Sequence, residues 1–186
     1  MTEMSTLEFE VRFHTPFRVS TGHARPGLDA GVDAHRPLPS SSLKGVMRAT
    51  ALRLLEPHTR VVHEVFGSSS IECPWLWHDA VPDNGWHQTR PAARVAVDSH
   101  THAAKPDMLA VTEQIGAETA RFTIAQRHPL DKATLQTHRL VLAVAGQATR
   151  SLGADRRRGL GWVTITCTTE ELDQAAVERF LALRSA

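Results

Sequence analysis

At 186 residues, with 41% hydrophobic and 22% charged side chains, the chain is long enough for one domain around its own core and has the composition of an ordinary soluble globular protein. The 21 Lys and Arg against 20 Asp and Glu leave a net charge of +1, with a pI of about 8.0. That balance excludes a uniformly basic surface, so any cationic patch must be local and offset by acids such as Glu170, Glu171 and Asp173.

Residues 7–13 alternate apolar Leu7, Phe9, Val11 and Phe13 with charge, the pattern of a half-buried strand. Residues 20–40 hold Gly22, Pro26, Gly27, Gly31, Pro37 and Pro39, and so form a long loop. Loops of that length inside compact domains are usually functional. Ser40, Ser41 and Ser42 then open an amphipathic helix carrying Leu43, Val46, Met47, Ala51, Leu54 and Leu55, which stops before Pro57. Residues 66–90, rich in Gly, Ser, Pro and Trp, read as an irregular insertion. Residues 93–97 suit a short strand, and a polar stretch over about 97–112 makes a second excursion. Residues 119–126 alternate again as a strand. Asp131 is placed to cap a second helix, with Leu130 and Leu135 as its hydrophobic staple. The helical pattern continues to about Leu152, with Gly153 at the C′ position. A basic loop from Asp155 to Gly161 leads to a last strand over 162–167, and 170–183 reads as a short terminal helix. The order β–α–β–β–α–β predicts an α+β, ferredoxin-like (RRM-like) two-layer sandwich: one domain over 1–186, with helices on one face of an antiparallel sheet.

Four groups of residues could carry chemistry. The helix entry Pro37–Gly45 offers free N–H groups and a helix dipole to an anion, and Lys44 and Arg48 lie one turn apart beside it. The plain alternative is a capped helix with solvated lysine and arginine. Arg156, Arg157 and Arg158 precede Gly159 and Gly161; guanidinium forks bind phosphate bidentately and glycines admit a polyanion closely. The alternative is a glycine-dependent turn with arginines in water. His100, His102 and Lys105 sit in the second excursion, which is either a projecting contact hairpin or a surface loop. Asp29 and Asp33 in the long loop either hold a divalent ion or initiate turns. Trp75, Trp77, Trp86 and Trp162 read as packing residues, with base stacking by Trp75 and Trp77 as the alternative. Cys73 and Cys167 form no CxxC or zinc pattern and read as a reduced pair. No apolar run reaches a membrane span and residues 1–6 lack a secretory pattern, so the expectation is a cytoplasmic protein without a membrane partner.

In order, these motifs resemble the RAMP superfamily of CRISPR proteins. Pro37–Gly45 followed by Val46-Met47-Arg48 is similar to the family's helix-1 signature, with Ser40 where the pattern has glycine. Phe66-Gly67 resembles the phenylalanine–glycine that follows it, and Trp77-His78-Asp79-Ala80 the short strand ending in Asp-Ala. Arg94–Glu113 looks like the family's thumb segment, which ends in an acidic position before a strand. Leu152–Val163 resembles the C-terminal glycine-rich motif. Gly31-Val32-Asp33 looks like the loop of the repeated backbone subunit of Csm- and Cmr-type (type III) effector complexes.

The resemblance implies several copies stacked in a filament on a guide RNA, together with other effector subunits and a complementary target RNA. Ser41, Ser42, Lys44, Arg48, Arg156, Arg157, Arg158, Gly159 and Gly161 would hold guide phosphates. His100, His102, Lys105 and Met108 of the thumb hairpin would contact target. Asp33, with Asp29 as fallback, would hold a divalent cation (Mg²⁺) for endonucleolytic cleavage of target RNA. Two alternatives stay open: the same scaffold without cleavage, and a stand-alone ribonuclease that processes precursor guide RNA with a histidine base drawn from His14, His23 or His35.

Overall fold

The computed structural model describes residues 4–20, 22 and 26–184. β1 (Thr6–Phe13) turns Leu7, Phe9 and Val11 inward and Glu8 and Arg12 outward, as its alternation demands. It lies at the centre of the main sheet. The helix α1 (Ser40–Leu55) follows the long loop and buries Leu43, Met47, Ala51 and Leu55. A short helix that the sequence pattern did not announce, α2 (Arg60–Phe66), comes next.

The stretch 66–90, expected to be irregular, contains part of the sheet. β2 (Trp75–Trp77) and β3 (Val81–Pro82) both pair antiparallel with β6 (Thr119–Gln126) and together make one interrupted edge strand. Strands of three and two residues carry too little alternation to stand out from the Pro and Gly around them. Between β3 and β6, β4 (Arg90–Val97) and β5 (Ala104–Gln114) form a separate two-stranded hairpin. The excursion over 97–112 is therefore mostly strand, and the short strand expected at 93–97 starts at Arg90.

α3 (Lys132–Ala148) begins as expected: the Asp131 carboxylate accepts from the N–H groups of Ala133 and Thr134, both at 3.0 Å. It ends four residues before Leu152, and Gly153 is not its C′ residue. The chain leaves the helix because 150–152 pair with 161–163: the Leu152 N–H donates to Gly161 O at 2.8 Å and the Val163 N–H to Arg150 O at 3.0 Å. A single 3₁₀ turn over Arg156–Arg158 leads to β7 (Val163–Cys167), and α4 (Gln174–Ala182) closes the described chain.

The sheet order β2-β6-β1-β7, with α1 and α3 packed together over it, is the expected ferredoxin-like βαββαβ sandwich. Phe9 and Phe122 stand opposite each other in register and stack at 4.8 Å between centroids. α3 can approach them because residue 146 is glycine; a Cβ there would lie 2.7 Å from Phe9. Among the described residues no helix is long and apolar enough to cross a membrane.

Candidate nucleic-acid interface

The entry of α1 is not capped by its serines. Pro39 is the N-cap residue and makes no side-chain cap bond. The Asp79 carboxylate, brought over from the turn between β2 and β3, accepts the Ser40 N–H at 2.7 Å. Arg36 forks onto the same carboxylate, with Nη2 to Oδ1 at 2.8 Å. That hydrogen bond, then the Ser40 N–H, holds the Asp79 carboxyl well below the usual range despite partial burial. Asp79 thus fixes where the long loop ends and where α1 starts.

The glycine-rich loop is organised by Asp155, in the left-handed region at φ +56°. Its carboxylate takes ion pairs from Arg18, from Arg94 of β4 at 2.7 Å and from Arg158 at 3.9 Å. Burial alone would push the Asp155 carboxyl up, but the Arg94, Arg18 and Arg158 guanidiniums outweigh it and bring the pKa below its ordinary value. Arg18 is 6% exposed, and its Nε and Nη1 have no hydrogen-bond partner among the described residues. A buried guanidinium with unmet N–H groups is costly unless an anion completes it. Gly153 and Gly161 shape the same loop. Both have positive φ, and a Cβ would fall 2.3 Å from Arg18 O at Gly153 and 1.9 Å from Leu152 O at Gly161.

α1 and this loop face one another across a groove of about 410 Å³, lined by Arg18, Ser20, Ser42, Gly45, Gly153 and Arg156 among others. Gly45 and Ala49 leave the helix side of the groove open. Arg156, Arg157, Arg158 and Gly159 are exposed around it, whereas Gly161 is buried. Ser41 is exposed outside the lining. Lys44 and Arg48 are half-buried on a neighbouring face of α1 and do not line the groove. Four arginines beyond Arg18 (94, 156, 157 and 158) with one acid, Asp155, make this the local cationic surface that a near-neutral chain requires.

The hairpin root is held on both sides. Arg94 bolts it to Asp155, and the long loop runs along β5. Asp29 Oδ2 accepts the Val111 N–H at 2.7 Å, and the acidic residue that ends the thumb segment, Glu113, accepts the Val32 N–H at 3.0 Å. The tip is a tight turn in which Asp98 accepts from the N–H groups of His100 and Thr101. His100 and His102 in this turn, and Lys105 and Met108 on β5, are all exposed, and Lys105 Nζ lies 4.0 Å from Asp98. Val95, Val97 and Leu109 are exposed as well, at 52%, 59% and 61%, an apolar surface on a polar projection.

Asp33 is half-buried at the foot of this hairpin. Its Oδ1 accepts the N–H groups of His35 at 2.9 Å and Arg36 at 3.3 Å, the turn-initiating geometry. Among the described residues no three His, Cys, Asp or Glu side chains gather as a metal-binding group. Asp33 offers a single carboxylate, which suits a hydrated Mg²⁺ shared with a phosphate better than an all-protein cage. Of the histidines considered, His14 Nε2 is bonded to Thr164 Oγ1 at 2.8 Å, His35 is exposed on the Asp33 turn, and His23 lies outside the described residues. Trp75 and Trp77 are buried, which removes them as base-stacking platforms. Trp162 is 60% exposed, so the packing role expected of it does not hold. Arg18 and Arg94 escape sequence reading because an isolated arginine beside apolar residues carries no local signal; only the fold brings them to Asp155.

A family model described as the RAMP superfamily matches residues 10–164, and the chain belongs to that superfamily. Among solved structures, a chain of a cryo-EM structure of the type III-B Cmr-beta bound to cognate target RNA shares the fold at TM-score 0.61 and 18% identity, over 88% of this chain and 59% of that one. A chain of the apo-state Cmr-beta structure does so at TM-score 0.64 and 9% identity, over 89% of this chain and 98% of that one. The present chain therefore spans about three-fifths of the first of these. No curated protein matches the sequence.

Proposed function

We propose that the protein is a guide-RNA-binding backbone subunit of a type III CRISPR effector, several copies of which stack along one guide. Membership of the RAMP superfamily and fold likeness to chains of Cmr-beta support the class of complex. The observation that carries RNA binding is the groove between α1 and the glycine-rich loop, with the buried, incompletely bonded Arg18 in its wall. A guide phosphate there completes Arg18 and meets Ser42 and Arg156, while Arg157, Arg158, Lys44 and Arg48 extend the track. Such contacts read backbone and leave sequence to base pairing. The hairpin, with His100 and His102 in its turn, Lys105 next to it and Met108 and Leu109 further along β5, wedges against the guide–target duplex.

The double variant Arg156→Ala/Arg157→Ala is expected to bind single-stranded RNA about tenfold more weakly at low salt, whatever the RNA sequence. Unchanged affinity in a filter-binding titration would exclude the groove as the RNA seat.

Target cleavage is the finer part of the reading. In this reading Asp33, near the foot of the wedge, would share a divalent cation, Mg²⁺ by its oxygen chemistry, with a splayed target phosphate. When bound, that ion supplies charge stabilisation for in-line attack by the adjacent 2′-hydroxyl. The rival is a scaffold that binds without cutting. It is favoured by one observation: Asp33 Oδ1 already serves the 33–36 turn. Purified complex with Asp33→Ala separates the two. Loss of target cleavage by about a hundredfold with guide retention intact supports the catalytic role, and unchanged cleavage removes it. Cleavage of repeat RNA by the lone protein in EDTA would instead favour a histidine route.

A further inference from the structure

Three arginines from separate parts of the fold meet on one carboxylate. Arg18 lies on the segment after β1, Arg94 on β4 of the hairpin and Arg158 in the glycine-rich loop, and all three pair with Asp155. We propose that Asp155 is a positioning residue that couples the groove to the hairpin: a phosphate bound in the groove fastens β4–β5 to the body of the domain, and a fastened hairpin strengthens phosphate binding. The proposal rests on the RNA-binding reading.

The two carboxylate oxygens are divided unequally. Oδ2 takes Arg18 Nη2, while Oδ1 is shared between Arg94 Nη1 at 2.7 Å and Arg158 Nη1 at 3.9 Å. Three guanidiniums on one acid leave positive charge in excess, and Arg18 Nε and Nη1 and Arg94 Nε have no hydrogen-bond partner among the described residues. Arg18 is buried and Asp155 and Arg94 are half-buried, so water screens the mutual repulsion of the arginines weakly. Arg158 is the loose member, with 71% of its side chain exposed. A phosphate beside Arg18 and Arg156 draws Arg158 toward itself and leaves Oδ1 to Arg94. It also cancels part of the positive charge that repels the Arg94 guanidinium. Both effects tighten the Arg94–Asp155 pair.

Tightening that pair matters because of how the hairpin is mounted. β4 and β5 form a sheet of their own, apart from the main sheet. β5 is tied to the long loop through Asp29 and Glu113, and the Arg94–Asp155 pair is the corresponding tie for β4. Arg18, Gly153, Ala154 and Arg156 line the groove, whereas Arg94 and Asp155 do not. Arg94 thus acts on bound RNA through the carboxylate and not by touching a phosphate. Linkage makes the effect reciprocal: the factor by which RNA fastens the hairpin is the factor by which the fastened hairpin raises RNA affinity.

The test uses the full chain and a single-stranded RNA of about 24 nucleotides. In the wild type, saturating RNA should slow amide hydrogen exchange across 90–97 and 104–114 about tenfold. Arg94→Met keeps the aliphatic stem and removes the ion pair. It should bind RNA about tenfold more weakly with an unchanged salt dependence, and saturating RNA should no longer slow exchange in its hairpin. Arg94→Lys, which keeps the charge, should restore part of both effects. Asp155→Asn supplies a second reading: by charge alone, losing an acid beside a polyanion should tighten binding, whereas loss of the positioning role weakens it. Hairpin protection that persists in Arg94→Met assigns that protection to direct RNA contact and overturns the coupling. Wild-type affinity in Arg94→Met, a salt slope reduced by about one, or tighter binding by Asp155→Asn overturns it as well, and each leaves the groove standing. No RNA binding by the wild type overturns the RNA-binding reading itself.

Discussion

Single residues set the terms on which this fold tolerates its environment. His138 lies 2% exposed on α3, and its Nδ1 is 3.2 Å from the Trp75 indole N–H that donates to it. Burial pulls its pKa below the ordinary imidazole value, although Glu64 and Asp131 pull the other way. The folded state therefore refuses a proton that the unfolded chain accepts. By linkage, stability is full above the unfolded pKa of about 6.5 and falls as pH drops through it. Between pH 7.5 and 5.5 this one group therefore lowers stability as the pH falls. In His138→Gln, which keeps an acceptor for Trp75, urea midpoints at those two pH values should converge relative to the wild type. An equal pH loss in both proteins would assign the effect elsewhere. Asp79 and Asp155, with lowered pKa values, titrate below this window and do not confound it.

At the level of elements, legibility followed the length of the pattern. β1 and β6 each run eight residues with strict alternation, and both were readable from sequence with bounds close to those observed. The start of α3 was readable because Asp131 is its own local cap. The start of α1 was misread chemically: three serines in a row resemble a cap, yet the acceptor is Asp79, 39 residues away in sequence. A cap supplied in trans leaves no trace at the helix it serves. The end of α3 was misread for a related reason, since residues 149–152 keep helix-compatible side chains while their backbone pairs with 161–163. The candidate site divides the same way. Arg156–Gly161 is contiguous and stood out, whereas Arg18, Arg94 and Asp155 meet only after β1, β4 and the loop are assembled. The excursion that holds β5 was readable as polar, either a projecting hairpin or a surface loop, but not the Asp29 carboxylate accepting the Val111 N–H and the Glu113 carboxylate accepting the Val32 N–H, which fasten the root of β4–β5.

For the molecule as a whole, the charge distribution bears on how copies would combine. The net charge is +1, yet Arg18, Arg94 and Arg156–Arg158 surround one acid at the groove, so opposite charge must dominate elsewhere. Glu8 and Glu10 on the open sheet face and Glu170, Glu171 and Asp173 near α4 supply part of it. A protomer of this kind carries little net repulsion toward a second copy, and a shared RNA strand would screen the one strongly cationic surface that remains. Binding to RNA should then be a stepwise assembly rather than a single event. Native mass spectrometry of the full chain with single-stranded RNAs of about 12, 24 and 48 nucleotides should show protein copies rising in whole steps with RNA length. The apparent affinity per copy should strengthen several-fold from the shortest RNA to the longest, because each added copy gains a neighbour. A fixed one-to-one ratio at all three lengths would mean that the groove binds RNA without stacking. The backbone role would then fall even with RNA binding intact.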